Sequence, residues 1–167
     1  MVMDIWLLRH AAAEDRASSG RDEDRELTAE GAKRARAVAR GLAVLKPEIG
    51  LVLTSPYQRA RQTAEPVVEE LGLEKSFRES PALEPGRRPE EILEEVEAEK
   101  HDGILLVGHQ PHLGVLLGRL VTGEKGVEIP LKKAAVARVE LQGHGGNSLR
   151  ALLPAKVLEE LGRGEDH

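Results

Sequence analysis

Apolar and polar positions alternate along the chain in blocks, and these blocks predict short buried strands separated by amphipathic helices. Three mostly apolar runs are expected to be buried strands: Met3–Leu8, Leu51–Thr54 and Gly103–Val107. Nearly continuous apolar runs of this length are typical of strands that are covered on both faces, as in parallel sheets. A further short strand is expected at Ser76–Glu79.

Spacings of three and four residues predict the first helix. Thr28 is a suitable N-cap, because its hydroxyl oxygen can accept a hydrogen bond from a free N–H of the first turn. After it, apolar residues recur along one face up to Pro47: Ala35, Val38, Leu42 and Leu45. The segment before this helix, Ala11–Glu26, is small, polar and charged, and we expect it to be a surface loop.

A second helix is predicted after the strand Leu51–Thr54. Ser55 followed by Pro56 is typical of an N-cap and a first helical position, since proline needs no N–H partner there. The helix would then run towards Leu71. Pro66 lies inside this segment, and because proline lacks the backbone N–H, we expect it to kink or split the helix.

The remaining elements complete an alternating pattern. They are a helix at Glu90–Lys100 after the proline-rich loop Ser80–Pro89, a helix from Pro111, a hairpin of Ala134–Leu141 and Ser148–Leu153 around Gly143–Asn147, and a helix at Lys156–Leu161. Alternating strands and helices predict an α/β fold with a mostly parallel sheet between two helical layers, and the hairpin adds one antiparallel strand. The length of 167 residues suits one domain, residues 1–167.

Composition narrows the classes of protein. The chain has no Cys, which excludes disulfides and thiol catalysis, and its aromatic residues are Trp6, Tyr57 and Phe77. So few aromatic side chains argue against base stacking, and a net charge of −5 argues against non-specific binding of nucleic acid. No apolar run approaches the ~18 residues of a membrane span, and the N-terminus lacks the pattern of a signal peptide. We therefore expect a cytoplasmic protein with no membrane or nucleic-acid partner.

Charged and polar side chains follow three of the predicted strands. Arg9 and His10 follow the first strand, Arg59 lies in the first turn of the helix after the second, and His109 follows the strand Gly103–Val107. Because the carboxyl ends of parallel strands meet at one edge of a sheet, we expect these side chains to lie together. Guanidinium groups and a helix N-terminus both favour phosphate oxygens. The sequence therefore predicts a pocket for a phosphate-like anion.

A histidine in such a pocket is a candidate nucleophile. Positive neighbours disfavour the imidazolium form, so one ring nitrogen would stay unprotonated at neutral pH. Transfer of a phosphoryl group asks mainly for positioning and positive charge, and Arg and His side chains would supply both without a metal or other cofactor. A metal site at His10, His109 and His112 is disfavoured, because the arginines would repel a cation and no acidic ligand lies beside the histidines.

Three motifs resemble those of the histidine phosphatase superfamily, whose phosphoglycerate mutase relatives share its fold. They are Leu8-Arg9-His10-Ala11, the ten residues 55–64 (SPYQRARQTA), and Gly108-His109. The resemblance spans roughly residues 3–154 and is greatest to the SixA-type phosphohistidine phosphatases. It implies a three-layer α/β/α sandwich around a mixed six-stranded sheet, in agreement with the pattern of elements.

The same resemblance implies roles for particular residues. It makes His10 the nucleophile that is transiently phosphorylated. It makes Arg9, Arg59 and His109 the groups that hold the phosphoryl oxygens, with Arg25 as a further contact, because Arg25 stands at the Arg of the family's RPLT stretch.

The chain departs from the family's pattern at several positions. Ala11 stands where Gly is commonest, and Glu26 stands where Pro is usual. Many relatives carry an acidic residue midway along the chain that protonates the leaving group. Here Ala82 occupies that place, and Glu84, two residues on, is the candidate general acid. An imidazole that leaves from a phosphoramidate needs less protonation than an alkoxide, so a weak or missing acid would suit phosphohistidine.

The leading hypothesis is a metal-independent phosphatase that acts on phosphohistidine in a protein, because the chain has little insertion material from which to build a deep lid. The alternatives are a general phosphomonoesterase on small phosphorylated metabolites, and a non-catalytic module that binds phosphorylated partners. The charge runs Asp22–Glu26 and Glu90–Glu99 are expected to be solvated. The first run adjoins the mouth of the pocket, where it would disfavour highly anionic small molecules.

Several other polar residues are expected to have no part in the chemistry. Arg61 should face solvent, and His112 should lie on the surface unless it contacts substrate. The two arginines Arg87-Arg88 either attract an acidic substrate or are simply exposed. No function is expected for the remaining histidines, which are His101, His144 and His167.

Overall fold

The computed structural model describes residues 2–143 and 146–164, which form one mixed sheet with helices on both faces. The strands are β1 (Met3–Arg9), β2 (Leu51–Thr54), β3 (Phe77–Glu79), β4 (Gly103–Gly108), β5 (Val136–Leu141) and β6 (Ser148–Leu153). The α-helices are α1 (Ala29–Val44), α2 (Gln58–Leu71), α3 (Pro89–Ala98), α4 (His112–Thr122) and α5 (Ala155–Gly164). In this part of the chain, no helix is long and apolar enough to cross a membrane.

The sheet has the strand order β3-β2-β4-β1-β5-β6. Strands β1, β2, β3 and β4 pair in parallel, whereas β5 is antiparallel to both of its neighbours, β1 and β6. The predicted α/β class is therefore confirmed, including the single strand that runs against the others. The carboxyl ends of β1, β2 and β4 lie side by side at the centre of the sheet.

Side chains of the central strands alternate between two apolar cores, one on each face of the sheet. In β1, Trp6 and Leu8 pack into a core with α1, α2 and α5, while Ile5 and Leu7 pack on the other face with α3 and α4. Leu7 and Leu8 are both fully buried. Burial on both faces explains why β1 and β4 appear in the sequence as nearly continuous apolar runs.

The segment between β2 and α2 differs from the prediction. Helix α2 begins at Gln58 with Tyr57 as its N-cap, so the predicted N-cap at Ser55 and the predicted helical start at Pro56 are wrong. The Ser55 hydroxyl accepts a hydrogen bond from the N–H of Tyr57 (3.2 Å) and also contacts the ring of His109. The Ser55 hydroxyl is therefore part of the turn between β2 and α2 and does not cap the helix.

The sequence predicts a kink or a split of α2 at Pro66; the helix is continuous through Pro66, so the split is wrong, and the kink stays a prediction. Proline removes one hydrogen bond from the helix, but Ala64 and Val67 on either side of it are fully buried against the core. Packing of this face stabilises the helix across the missing bond, which is how tertiary contacts commonly override local preference.

The loop predicted at Ala11–Glu26 is anchored at both ends. It contains a short 3-10 helix, Asp22–Asp24, and ends at the predicted N-cap Thr28, whose hydroxyl oxygen accepts a hydrogen bond from the N–H of Gly31 (2.9 Å). The Thr28 N–H donates to the carbonyl of Ala12 (3.0 Å), so the loop leaves β1 and returns beside it. This path brings the acidic 3-10 helix over the carboxyl edge of the sheet.

The late hairpin is confirmed, but β5 begins two residues after the predicted Ala134. Ala134 has a positive φ of 59°, and its N–H points towards the carbonyls of Arg9 (3.0 Å) and His10 (3.3 Å). These hydrogen bonds fix the backbone that follows β1. The tip of the hairpin, with His144, and the terminal His167 fall outside the described residues.

Candidate active site

The carboxyl ends of β1 and β4 hold two histidines next to each other. Arg9 pairs in register with Gly108, and the N–H of His10 donates to the Gly108 carbonyl (3.0 Å). The next residue of each strand is a histidine, and the ring centroids of His10 and His109 lie 5.2 Å apart. Parallel pairing thus places both histidines at the edge where ligands of such sheets bind.

The His10 ring is oriented by a hydrogen bond to the backbone of Ala11. Its Nδ1 lies 2.7 Å from the carbonyl oxygen of Ala11, which can only accept, so Nδ1 carries the proton. The lone pair of the neutral ring then resides on Nε2. Burial, together with the positive charges of Arg59, Arg9 and Lys133, outweighs this hydrogen bond and lowers the pKa of His10 from 6.5 to about 4. His10 is therefore a neutral imidazole at physiological pH.

A serine orients the ring of His109. The Ser55 oxygen accepts the N–H of Tyr57 (3.2 Å) and lies at hydrogen-bond distance (2.8 Å) from Nε2 of His109. Nδ1 of the same ring has no hydrogen-bond partner among the described residues. Burial, followed by the charges of His10 and Arg59, lowers the pKa of His109 to about 3.

Arg59 projects from the first turn of α2 and is almost fully buried. One terminal nitrogen donates to the backbone carbonyl of Asp22 (2.9 Å), and the other donates to the carboxylate of Asp22 (3.2 Å). The guanidinium also lies 5.3 Å from the centre of the Tyr57 ring, which in turn packs edge-on against His109 at 5.3 Å. Arg59 is thus held by the acidic 3-10 helix on one side and by an aromatic ring on another.

Helix α2 is tied to the strand end through Thr63. The Thr63 hydroxyl donates to the carbonyl of Arg59 (2.8 Å), and its oxygen accepts the N–H of Ala11 (3.1 Å). The two links join the backbone after His10 to the helical turn that carries Arg59. Arg9, from β1, donates to the carbonyl of Leu131 (3.0 Å).

The site offers positive charge and hydrogen-bond donors around a neutral histidine. Among residues 2–143 and 146–164, no three His, Cys, Asp or Glu side chains are grouped so as to hold a metal ion. Two guanidinium groups and the imidazole of His109 are instead suited to the oxygens of a phosphoryl group.

Comparison with known proteins identifies the family. The model of the histidine phosphatase superfamily (branch 1) matches residues 5–84. Phosphohistidine phosphatase SixA of Escherichia coli is 33% identical over 147 residues, which cover 86% of this chain and 89% of that protein. The chain belongs to the histidine phosphatase superfamily.

Further comparisons agree with this assignment. An uncharacterized protein of Picosynechococcus sp. is 36% identical over 93% of this chain and 99% of its own length. A structure of the protein histidine phosphatase SixA complexed with tungstate has a TM-score of 0.82 at 30% identity, and it covers 93% of this chain and 99% of that chain. Phosphoglycerate mutase from Plasmodium falciparum shares the fold, with a TM-score of 0.65 at 18% identity. This histidine phosphatase is thus a hydrolase of the phosphatase class with a phosphoglycerate mutase-like fold.

Of the predicted site residues of this histidine phosphatase, two lie at the rim. Arg25 donates to the Asp22 carboxylate (2.8 Å) and to the carbonyl of Glu14 (2.7 Å), so it reaches Arg59 only through Asp22. Glu84 lies 3.4 Å from Arg87 and close enough to Tyr57 to raise the pKa of that phenol, an effect that adds to burial. The proposed roles of Arg25 in substrate binding and of Glu84 as general acid stay predictions.

Two expectations about polar residues need correction. His112 is buried rather than on the surface, because it begins α4 close to Arg88 and Glu91 at the start of α3. Burial lowers its pKa, against the opposing effects of the Arg88 backbone and the charge of Glu91. Asp22, expected to be merely solvated, contacts Arg59 directly. Arg61 is partly exposed as expected and pairs with Glu79 at 3.1 Å.

Sequence reasoning missed Ser55, Tyr57 and Asp22 as members of the site. Ser55 and Tyr57 belong to the SPYQRARQTA motif, so its serine and aromatic residue were available as a signal. Asp22 stands three residues before Arg25 in a loop with many acidic residues. Nothing in the sequence distinguishes it from Asp24, which pairs with Arg21 (3.0 Å) away from Arg59.

Proposed function

We propose that this protein is a metal-independent phosphatase that removes the phosphoryl group from phosphohistidine in a protein, through a phosphohistidine intermediate on His10. The observation that carries the proposal is the state of the His10 ring: Nδ1 is tied to the Ala11 carbonyl, and the unprotonated Nε2 is left beside Arg59 and His109. A nucleophile with its lone pair free at neutral pH needs no separate base.

In the first step, the Nε2 lone pair of His10 forms a bond to phosphorus. The bond between phosphorus and the leaving nitrogen breaks, and its electron pair goes to that nitrogen. Arg9, Arg59 and His109 would stabilise the charge on the three non-bridging oxygens, which is the main requirement of phosphoryl transfer. In the second step, water attacks phosphorus, the electron pair of the P–N bond returns to His10, and the proton of the water passes to solvent.

The choice of phosphohistidine rests on the leaving group and on the relatives. A departing imidazole is stable as a neutral molecule once its ring carries a proton, so it depends less on a general acid than an alkoxide does. The candidate acid Glu84 is a rim residue beside Arg87. A relative named phosphohistidine phosphatase SixA is 33% identical, and a SixA structure holds tungstate, a tetrahedral oxyanion like phosphate. A cytoplasmic location stays a prediction.

Substitution of His10 tests the nucleophile. We expect His10→Ala to abolish turnover of a phosphohistidine protein and to remove the phosphoenzyme trapped by rapid acid-free denaturation. His101→Ala is the matched control, because His101 is a half-buried histidine that lies 3.9 Å from Glu99 at the other end of β4. Turnover that survives in His10→Ala would overturn the nucleophile assignment.

A substrate panel tests the leaving group. The wild-type protein should turn over a phosphohistidine protein with a much larger kcat/KM than small phosphate monoesters. Equal values for both classes would favour a general phosphomonoesterase. Binding of inorganic phosphate without turnover of any substrate would instead favour a non-catalytic phosphoryl-binding module.

A further inference from the structure

A carboxylate occupies part of the cationic site. Asp22, in the 3-10 helix Asp22–Asp24, accepts hydrogen bonds from Arg59 through both its backbone carbonyl (2.9 Å) and its carboxylate (3.2 Å). The second carboxylate oxygen accepts a hydrogen bond from Arg25 (2.8 Å). Asp22 therefore lies between two arginines, and its half-exposed side chain adjoins the space in front of the buried Arg59.

This arrangement leaves Arg59 only partly available to an anion. A guanidinium has five N–H donors, and Asp22 uses two of them in Arg59, one on each terminal nitrogen. The carboxylate is ionised at neutral pH, because the hydrogen bond from Arg25 and the charge of Arg59 lower the pKa of Asp22 below its ordinary value. An anion that binds Arg59 thus meets a fixed negative charge already bound to the same guanidinium.

Other acidic side chains extend this charge around the mouth. Asp22, Glu23 and Glu84 all lie close enough to Tyr57 to raise the pKa of its hydroxyl, in addition to the effect of burial. The cations that act on the His10 ring are Arg59, Arg9 and Lys133, and Arg59 also acts on His109. The site consequently has a positive interior and an acidic rim, and Asp22 contacts one of the interior cations, Arg59.

We propose that Asp22 is a specificity-determining residue. Its fixed charge weakens the binding of free phosphate and of dianionic esters, compared with the binding of phosphoryl groups that are attached to a positively charged carrier. A protonated imidazole is such a carrier, so the inference deepens the proposed function and rests on it. Asp22 also speeds release of the product, because inorganic phosphate has no carrier to offset the repulsion.

The expected size follows from Coulomb's law. A unit charge about 6 Å away in a water-like dielectric changes the binding of a monoanion about threefold and of a dianion about tenfold. Asp22→Asn removes the charge and keeps an oxygen that can accept from Arg59. Asp24→Asn is the matched control, since Asp24 belongs to the same 3-10 helix but bonds Ser19 and Arg21 instead of Arg59.

The first experiment measures the Kd of inorganic phosphate by calorimetry, for wild type and both variants, at about pH 5.5 and about pH 8. With pKa values of about 4 and about 3, His10 and His109 stay neutral over this range, so the comparison isolates the charge of the ligand. We expect Asp22→Asn to bind phosphate about tenfold more tightly at the higher pH and about threefold at the lower. Asp24→Asn should bind within twofold of wild type.

The second experiment compares substrates. Asp22→Asn should raise kcat/KM for p-nitrophenyl phosphate and lower the ratio by which the enzyme prefers a phosphohistidine protein. Weaker phosphate binding in Asp22→Asn would overturn the inference, because it would mean that Asp22 only positions Arg59. Equal effects of Asp22→Asn and Asp24→Asn would also overturn it. If wild type binds no phosphate at either pH, the proposed function itself fails, so the two failures are distinguishable.

Asp22→Ala adds a check on folding. It removes the side-chain acceptor while the backbone carbonyl that holds Arg59 remains, so the guanidinium keeps one of its two links. Tightening of phosphate binding in both Asp22→Asn and Asp22→Ala, with unchanged thermal unfolding, supports the role of charge. Loss of binding in both variants with unchanged unfolding contradicts it.

Discussion

Two buried neutral histidines should make the protein sensitive to mild acid. In the unfolded chain His10 and His109 titrate near 6.5, whereas in the folded protein their pKa values are about 4 and about 3. Below pH 6.5 the unfolded state therefore binds more protons than the folded state, and the free energy of unfolding falls as pH falls towards 4. Above pH 6.5 this effect vanishes.

The size follows from the two pKa values. Between pH 7 and pH 5 each unfolded histidine gains most of a proton, whereas its folded counterpart gains almost none. The difference in bound protons, integrated over this pH range, is about 1.4, and each unit of this integral is worth about 1.36 kcal/mol of unfolding free energy. Each histidine therefore costs about 2 kcal/mol of stability at pH 5, and the pair costs about 4 kcal/mol. This is a large part of a typical domain's 5–15 kcal/mol.

Urea denaturation at pH 7 and pH 5, followed by fluorescence of the single tryptophan, Trp6, measures this loss. We expect the loss of unfolding free energy between pH 7 and pH 5 to be smaller by about 2 kcal/mol in His10→Gln, and by about 4 kcal/mol in the double variant with His109→Gln. The buried His112 accounts for a residual loss, since its pKa is also lowered. His101→Gln, a variant outside the site, should lose as much unfolding free energy between pH 7 and pH 5 as the wild type. If the double variant loses as much as wild type, the assigned neutral states are wrong.

Two further predictions concern the support of the site and of the loop. Ser55→Ala should lower kcat at least tenfold, because His109 loses the hydroxyl that orients its ring at Nε2. Ser80→Ala removes a buried hydroxyl bonded to Glu95, so it should change stability but leave kcat within about twofold. Equal kcat values in the two variants would contradict this role of Ser55. Gly31→Ala should lower the free energy of unfolding by more than 1 kcal/mol in urea titration, since its Cβ would lie 2.0 Å from the carbonyl oxygen of Ala12. A loss no greater than that of an ordinary exposed helical position would refute it.

Patterns within one segment were enough to predict the elements and the edge where the site lies. Apolar runs identified β1, β2 and β4, and the rule that parallel strands share a carboxyl edge placed His10 near His109. What the sequence could not show are contacts between distant segments. The bond between Ser55 and His109 joins residues 54 positions apart, and the bond between Asp22 and Arg59 joins residues 37 apart. A net charge of −5 likewise conceals an interior that is positive.

Burial contributes more to the state of His10 than the sequence predicts. Neighbouring arginines alone are expected to keep His10 unprotonated, yet burial is the largest cause of its lowered pKa. The same desolvation that leaves Nε2 free for attack also makes the folded state intolerant of protons. Acid stability and nucleophile readiness are thus opposed in this site. A substitution that opens His10 to water should reduce the loss of stability between pH 7 and pH 5 and narrow the pH range over which His10 remains a nucleophile.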